Sequence, residues 1–133
     1  MYKRLTHVGI AVKDVQQSFR LFARLFGTSE EHSEEVAEQR VRASFFRIGD
    51  SGVELLEPTS PDSPIAKFIE KRGEGVHHLS FEVEDLGKEI ERLKQEGFRM
   101  IDEKPRDGAD GYRIAFLHPK STNGVLVEIS EKK

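Results

Sequence analysis

The polar and apolar positions of this chain follow two periods that alternate in a set order. Residues 5–13 are a short run rich in apolar and β-branched side chains, as a strand requires. Asp14 follows, with Gln17 three positions on, the spacing of a capping box. Val15, Phe19, Phe22 and Phe26 then fall on one face of a helix, and Gly27 stands where a helix would end. The polar, acidic stretch 28–40 predicts a weak exposed strand or a loop. Residues 41–48 alternate as a strand, Gly49-Asp50-Ser51-Gly52 makes a tight turn, and Val53-Glu54-Leu55-Leu56-Glu57 returns as the second arm, closed by Pro58.

Residues 58–64, with three prolines, are the one linker-like composition in the chain. Ser63 before Pro64 predicts the start of a short helix with Ile65, Phe68 and Ile69 on its apolar side, stopped by Gly73 and Gly75. From there the order begins again. A strand over 76–84 leads to Asp85 as a cap, and Leu86, Ile90 and Leu93 mark a helix face ended by Gly97. Residues 98–102 read as a short strand, 103–111 as a charged, glycine-containing loop, and 112–117 and 124–130 as two further strands.

The second half echoes the first. His7 and His78 lie 71 residues apart, as do Asp14 and Asp85. Val53-Glu54-Leu55 returns as Val127-Glu128-Ile129. Repetition of this kind predicts an α+β chain of two βαβββ modules in tandem. The first spans about 4–58, a linker helix about 59–74, and the second about 75–131. Each module, at about 60 residues, buries its apolar faces poorly alone, so residues 1–133 are expected to form a single domain.

Composition narrows the function. A net charge of -3 argues against nucleic acid and membrane surfaces as partners. The chain has no cysteine, so any metal site must use histidine and carboxylate ligands. No apolar run reaches membrane-spanning length, and the opening Met-Tyr-Lys-Arg-Leu lacks the apolar core of a secretion signal, which predicts a cytoplasmic protein.

A lone histidine at a strand start is usually structural or exposed, and a lone glutamate in an apolar strand usually faces solvent. Here both types recur at matched positions. His7, Glu54, His78 and Glu128 offer two imidazoles and two carboxylates, a donor set suited to a divalent first-row metal. Neutral histidines and ionised glutamates as ligands predict metal loss at low pH. His77 points to the opposite face from His78 and is read as structural or exposed. Asp14 and Asp85 are read as caps, and the glutamates of 30–38 as a solvated face. Lys120 is read as solvated, with phosphate contact as the alternative.

Taken together, the segments 5–12, 53–58, 62–66, 75–78, 116–121 and 124–128 resemble the vicinal oxygen chelate superfamily, the glyoxalase/bleomycin resistance-like proteins. Within it they resemble the methylmalonyl-CoA epimerases. The resemblance implies a partly open β-barrel with a metal cleft, an acyl-CoA substrate and a homodimer. It implies His7, Glu54, His78 and Glu128 as metal ligands, with cobalt first and manganese, nickel or zinc as alternatives. It also implies proton transfer at the carbon between a thioester and a carboxylate, with Glu128 as a catalytic residue. One position departs from the pattern: Ala43 stands where some members carry a second catalytic glutamate. The second proton carrier is then left to Glu54 or a metal-bound water. The rival readings are a glyoxalase I (lactoylglutathione lyase)-type isomerase, a non-haem iron oxygenase, against which Glu54 as a fourth ligand argues, and a non-catalytic binding protein, against which retention of all four donors argues.

Overall fold

The structure, a computed structural model, describes residues 1–28, 32–108 and 111–133. Glu30 and Glu31 of the acidic stretch, the side chain of Glu38, and residues 109–110 of the loop lie outside the described residues. The chain divides into two compact units, one of Val8–His77 and one of Met1–His7 with His78–Lys133. The divisions fall inside β1 (Tyr2–Ala11) and β5 (Gly75–Val83), at the two histidines.

In the Val8–His77 unit, α1 (Val15–Phe26) is followed by β2 (Ser33–Val36), β3 (Val41–Ile48), β4 (Ser51–Pro58) and α2 (Pro64–Arg72). The strands lie in the order β2, β3, β4, β1, with β4 parallel to β1 and the other pairs antiparallel. Asp14 caps α1 by accepting the Gln17 amide at 3.0 Å, and Gly27 ends it in the left-handed region at φ 69°. The apolar stripe of α1 covers one face of the sheet, where the Phe19 and Phe46 rings stack 4.9 Å apart beside buried Val12, Val15 and Leu55. On the other face, Ile65, Phe68 and Ile69 of α2 pack on Ala11, Val41, Ala43 and Leu56.

In the second unit, α3 (Leu86–Gln95) precedes β6 (Arg106–Asp107), β7 (Tyr112–Leu117) and β8 (Val127–Lys132). The order is β1, β5, β8, β7, β6, with β5 and β8 parallel. Strand alternation sorts the side chains. Ala115, Leu117 and Ile129 point to α3 and form the core with Val83, Leu86, Ile90 and Leu93. Full burial of Leu86, Ile90 or Ile129 stabilises the unit by roughly 1.5–3 kcal/mol each. The intervening positions, His78, Ser80, Glu82, Glu128 and Ser130, face the other way and are polar.

Two sequence expectations need correction here. Residues 98–102 are not a strand; they form an isolated bridge to β7, Met100 to Leu117, with the Ile101 and Asp102 amides both donating to the Phe116 carbonyl. The Asp102 side chain accepts the Phe116 amide at 2.9 Å, occupying a donor that a continuing ladder would use. The short β6 falls instead within the stretch read as a loop. The last strand starts at Val127 rather than Gly124, because Asn123 and Gly124 have φ of 57° and 87° after a turn of 3-10 helix over Pro119–Thr122.

Candidate active site

The polar face of the second unit carries five buried polar side chains on two adjacent strands: His78, Ser80 and Glu82 on β5, and Glu128 and Ser130 on β8. Ser80 lies opposite Glu128 and Glu82 opposite Ser130. Buried polar groups are costly without partners, so such a cluster needs a reason. For Glu82 the reason is an ion pair: its carboxylate accepts from Arg4 Nε at 2.9 Å and lies 3.3 Å from Lys3 Nζ, while Arg4 also donates to the Tyr112 hydroxyl. His78 and Glu128 are different. They meet His7, whose Nε2 is 3.0 Å from His78 Nε2 and 3.7 Å from Glu128 Oε1. The two imidazoles are nearly perpendicular, at 87°.

The hydrogen bonds determine which nitrogen of His7 is bare. Thr6 Oγ1 gives its one proton to the Ser80 carbonyl at 3.1 Å. The same oxygen is 3.1 Å from His7 Nδ1, so it can only accept there, and His7 carries its proton on Nδ1. Nε2 is then a lone pair aimed at His78, whose Nε2–H donates to it. The arrangement is that of a metal-ligating histidine held in its tautomer by a neighbouring oxygen. A separation of 3.0 Å is also what two adjacent donors show around a first-row cation with bonds of about 2.1 Å. The His7 and His78 nitrogens are therefore spaced as two ligands of one divalent metal ion, with the Glu128 carboxylate 3.7 Å from His7 Nε2.

Burial shifts the titration of these groups. It pushes Glu128 up to about 7, with Asp102 adding to the rise, and the Ser80 hydroxyl and the Arg106 charge opposing it. Ser80 Oγ makes no hydrogen bond among the described residues, and burial is the main cause of the rise. His7 is lowered to about 4 by burial and then by the Arg4 charge, and His77 is lowered to about 4 by burial. Below pH 6.5 the unfolded chain binds protons that folded His7 and His77 refuse, so their contribution is present above 6.5 and lost as pH falls through about 4. Glu128 has the opposite sign, since folding raises it from 4.5 to about 7 and its contribution is lost as pH rises through 7. Thermal melts of the protein in EDTA should therefore peak between about pH 6 and 7 and fall on both sides. A melting temperature still climbing at pH 8 would contradict the burial of a protonated Glu128.

The sequence-predicted residues fall out as follows. His7, His78 and Glu128 come together in one unit. Glu54 lies half-buried on β4 of the other unit, opposite Gly9 of β1. His77 is half-buried with its ring edge-on to Phe68, 5.0 Å between centroids, in keeping with a structural role. Asp14 and Asp85 are caps, as their spacing predicts. Lys120 is exposed in the turn after His118, where its amide donates to His118 Nδ1. Sequence reasoning did not single out Thr6, Ser80 or Phe116, whose ring meets His78 edge-on with centroids 5.9 Å apart. Thr6 adjoins His7 and Ser80 sits two positions after His78, so proximity in sequence was the available signal.

The chain is similar to known proteins over almost its whole length. Residues 6–116 match the Glyoxalase/Bleomycin resistance protein/Dioxygenase superfamily. The protein YqjC of Bacillus subtilis (strain 168) is 42% identical over 130 residues, covering 98% of this chain and 93% of that protein. The mitochondrial methylmalonyl-CoA epimerase of Dictyostelium discoideum is 39% identical over 130 residues, covering 97% of this chain and 78% of the relative. A solved methylmalonyl-CoA epimerase, in complex with methylmalonyl-CoA and NH4+, superposes with a TM-score of 0.94 at 36% identity, over 99% of this chain and 96% of that one. The α+β glyoxalase-like architecture expected from the sequence is thereby established. Identity at this level over almost the full length places the chain in the methylmalonyl-CoA epimerase family of the glyoxalase superfamily, as an enzyme of the isomerase class.

Proposed function

We propose that this enzyme epimerises methylmalonyl-CoA in a metal-dependent reaction, by taking the α-proton from one face and returning a proton to the other. The observation that carries the reading is the convergence of His7 Nε2 on His78 and Glu128 within a buried polar face. The relative crystallised with methylmalonyl-CoA supports the substrate. Glu54 is proposed as the fourth ligand. Its register opposite Gly9 supports this, because His7 is two residues from Gly9 and shares its side of β1 by alternation.

A divalent cation held by His7, Glu54, His78 and Glu128 would supply Lewis acidity against the negative charge that builds on the thioester oxygen as the proton leaves. Thr6 keeps His7 in the liganding tautomer. Glu128 takes the α-proton, and a carboxyl group raised to about 7 is well matched to that task near neutral pH. Displacement of Glu128 from the ion on substrate binding would free its basicity. Inversion needs a second carrier on the far side. Ala43 is buried among apolar side chains and has no proton to give. Glu57 is engaged by the Val15 amide and Arg42. We assign this role to Glu54, with a metal-bound water as the alternative. The same reading carries cobalt as the first metal and a cytoplasmic homodimer.

The test is solvent deuterium incorporation at the α-carbon of methylmalonyl-CoA. Exchange should be fast in the metal-loaded protein, disappear in EDTA and return with a divalent metal. Exchange that is absent, or indifferent to EDTA, would remove the reading. Parallel turnover of the methylglyoxal–glutathione adduct would favour the glyoxalase I alternative.

A further inference from the structure

Arg106 stands on the same polar face and has no part in the chemistry above. Its place follows from register. Arg106 pairs with Ile114 on β7, and Phe116, two residues further on that side, pairs with Glu128. The guanidinium carbon lies 5.5 Å from the centre of the Phe116 ring, the ring that also touches His78. Asp102 holds it from a second side. One carboxylate oxygen of Asp102 accepts the Phe116 amide at 2.9 Å, and the other is 3.1 Å from Arg106 Nε. The backbone thus orients the carboxylate, and the carboxylate and ring orient the guanidinium. Only Nε is used: among the described residues no acceptor is assigned to the two terminal nitrogens. A guanidinium braced in this way, with no acceptor on its outer fork among the described residues, is preorganised for a planar carboxylate.

We propose that Arg106 is a specificity-determining residue that receives the free carboxylate of the substrate, so that the site selects 2-carboxyacyl thioesters over plain acyl thioesters. The inference rests on the epimerase reading and adds the group that recognises its substrate class. Arg106 itself remains partly exposed, its side chain 43% accessible, so a ligand can reach it.

The experiment compares the wild-type metal-loaded enzyme with Arg106→Gln and Arg106→Lys, using methylmalonyl-CoA as substrate and propionyl-CoA as a competitive inhibitor. In Arg106→Gln the KM for methylmalonyl-CoA should rise about 10- to 100-fold, while the inhibition constant of propionyl-CoA stays within about twofold. Arg106→Lys should recover part of the loss. Melting temperatures within about 2 °C of wild type would show that the fold is intact. An equal loss for both ligands, with or without a lower melting temperature, would mean that Arg106 supports the site or the CoA tail, and would overturn the proposal. So would no change for either ligand. A wild-type enzyme inert toward methylmalonyl-CoA would overturn the epimerase reading and this proposal with it, whereas an active wild type with an unaffected Arg106→Gln overturns this proposal alone.

Discussion

Glu128→Gln should lower the rate of α-proton exchange by about 10²–10⁴-fold, a loss of roughly 3–5 kcal/mol of transition-state stabilisation. Glutamine has the shape of glutamate and fits a site only 7% exposed, so packing is preserved. What it lacks is a lone pair basic enough to take a proton. The buried setting sharpens the effect, because the desolvation that raises Glu128 to about 7 makes it a stronger base than an exposed carboxylate. Metal content must be measured alongside, since the amide is also a poorer ligand than a carboxylate. The metal-free variant should be at least as stable as wild type at pH 8, because the cost of ionising a buried group is gone. Retention of more than about a tenth of the exchange rate at full metal occupancy would show that the proton goes elsewhere.

The second large effect is expected at His78. Its replacement by alanine should reduce bound metal from near one ion per chain to a small fraction, and activity should fall with it. Loss of a mere supporting hydrogen bond costs a metal site about 10–100-fold in affinity, and loss of a donor should exceed that. The geometry says why the remaining donors do not compensate. His7 Nε2 loses its neighbour at 3.0 Å, and Glu128 Oε1 stands further off at 3.7 Å. In the metal-free state the substitution also removes the contact between the two imidazoles. Metal analysis of protein dialysed at low free-metal concentration measures the effect directly. Unchanged metal content in His78→Ala would remove His78 from the ligand set, whatever happens to activity. His77→Ala is the matched control, since His77 packs on Phe68 and should leave metal content unchanged.

The elements that local patterning announces were readable residue by residue. Asp14 with Gln17, Asp85 with Lys88 and Ser63 with Ile65 cap α1, α3 and α2 where their spacing says, because a cap is decided by side chains two or three positions apart. The 98–102 stretch was not readable in the same way. Its sequence suits a strand, but the partner amide it needed is taken by Asp102, and nothing local reveals which carbonyl or carboxylate will claim the Phe116 amide. The start of β8 failed for a related reason, since the left-handed backbone at Asn123 belongs to a turn set by the preceding 3-10 segment.

What the sequence determined by itself was which residues to propose as donors. Repetition at a spacing of 71 residues singled out His7 and His78 without reference to any contact, because a duplicated module carries its side chains to equivalent strand positions. What only the tertiary structure decided was how those donors are held. The approach of β1 to β5 brings Thr6 under the Ser80 carbonyl and so selects the tautomer of His7. The register of β6, β7 and β8 sets Arg106, Phe116 and Glu128 on one face. Hydrogen bonds and ring contacts between strands depend on register and twist, which are properties of the whole sheet and not of any stretch of chain.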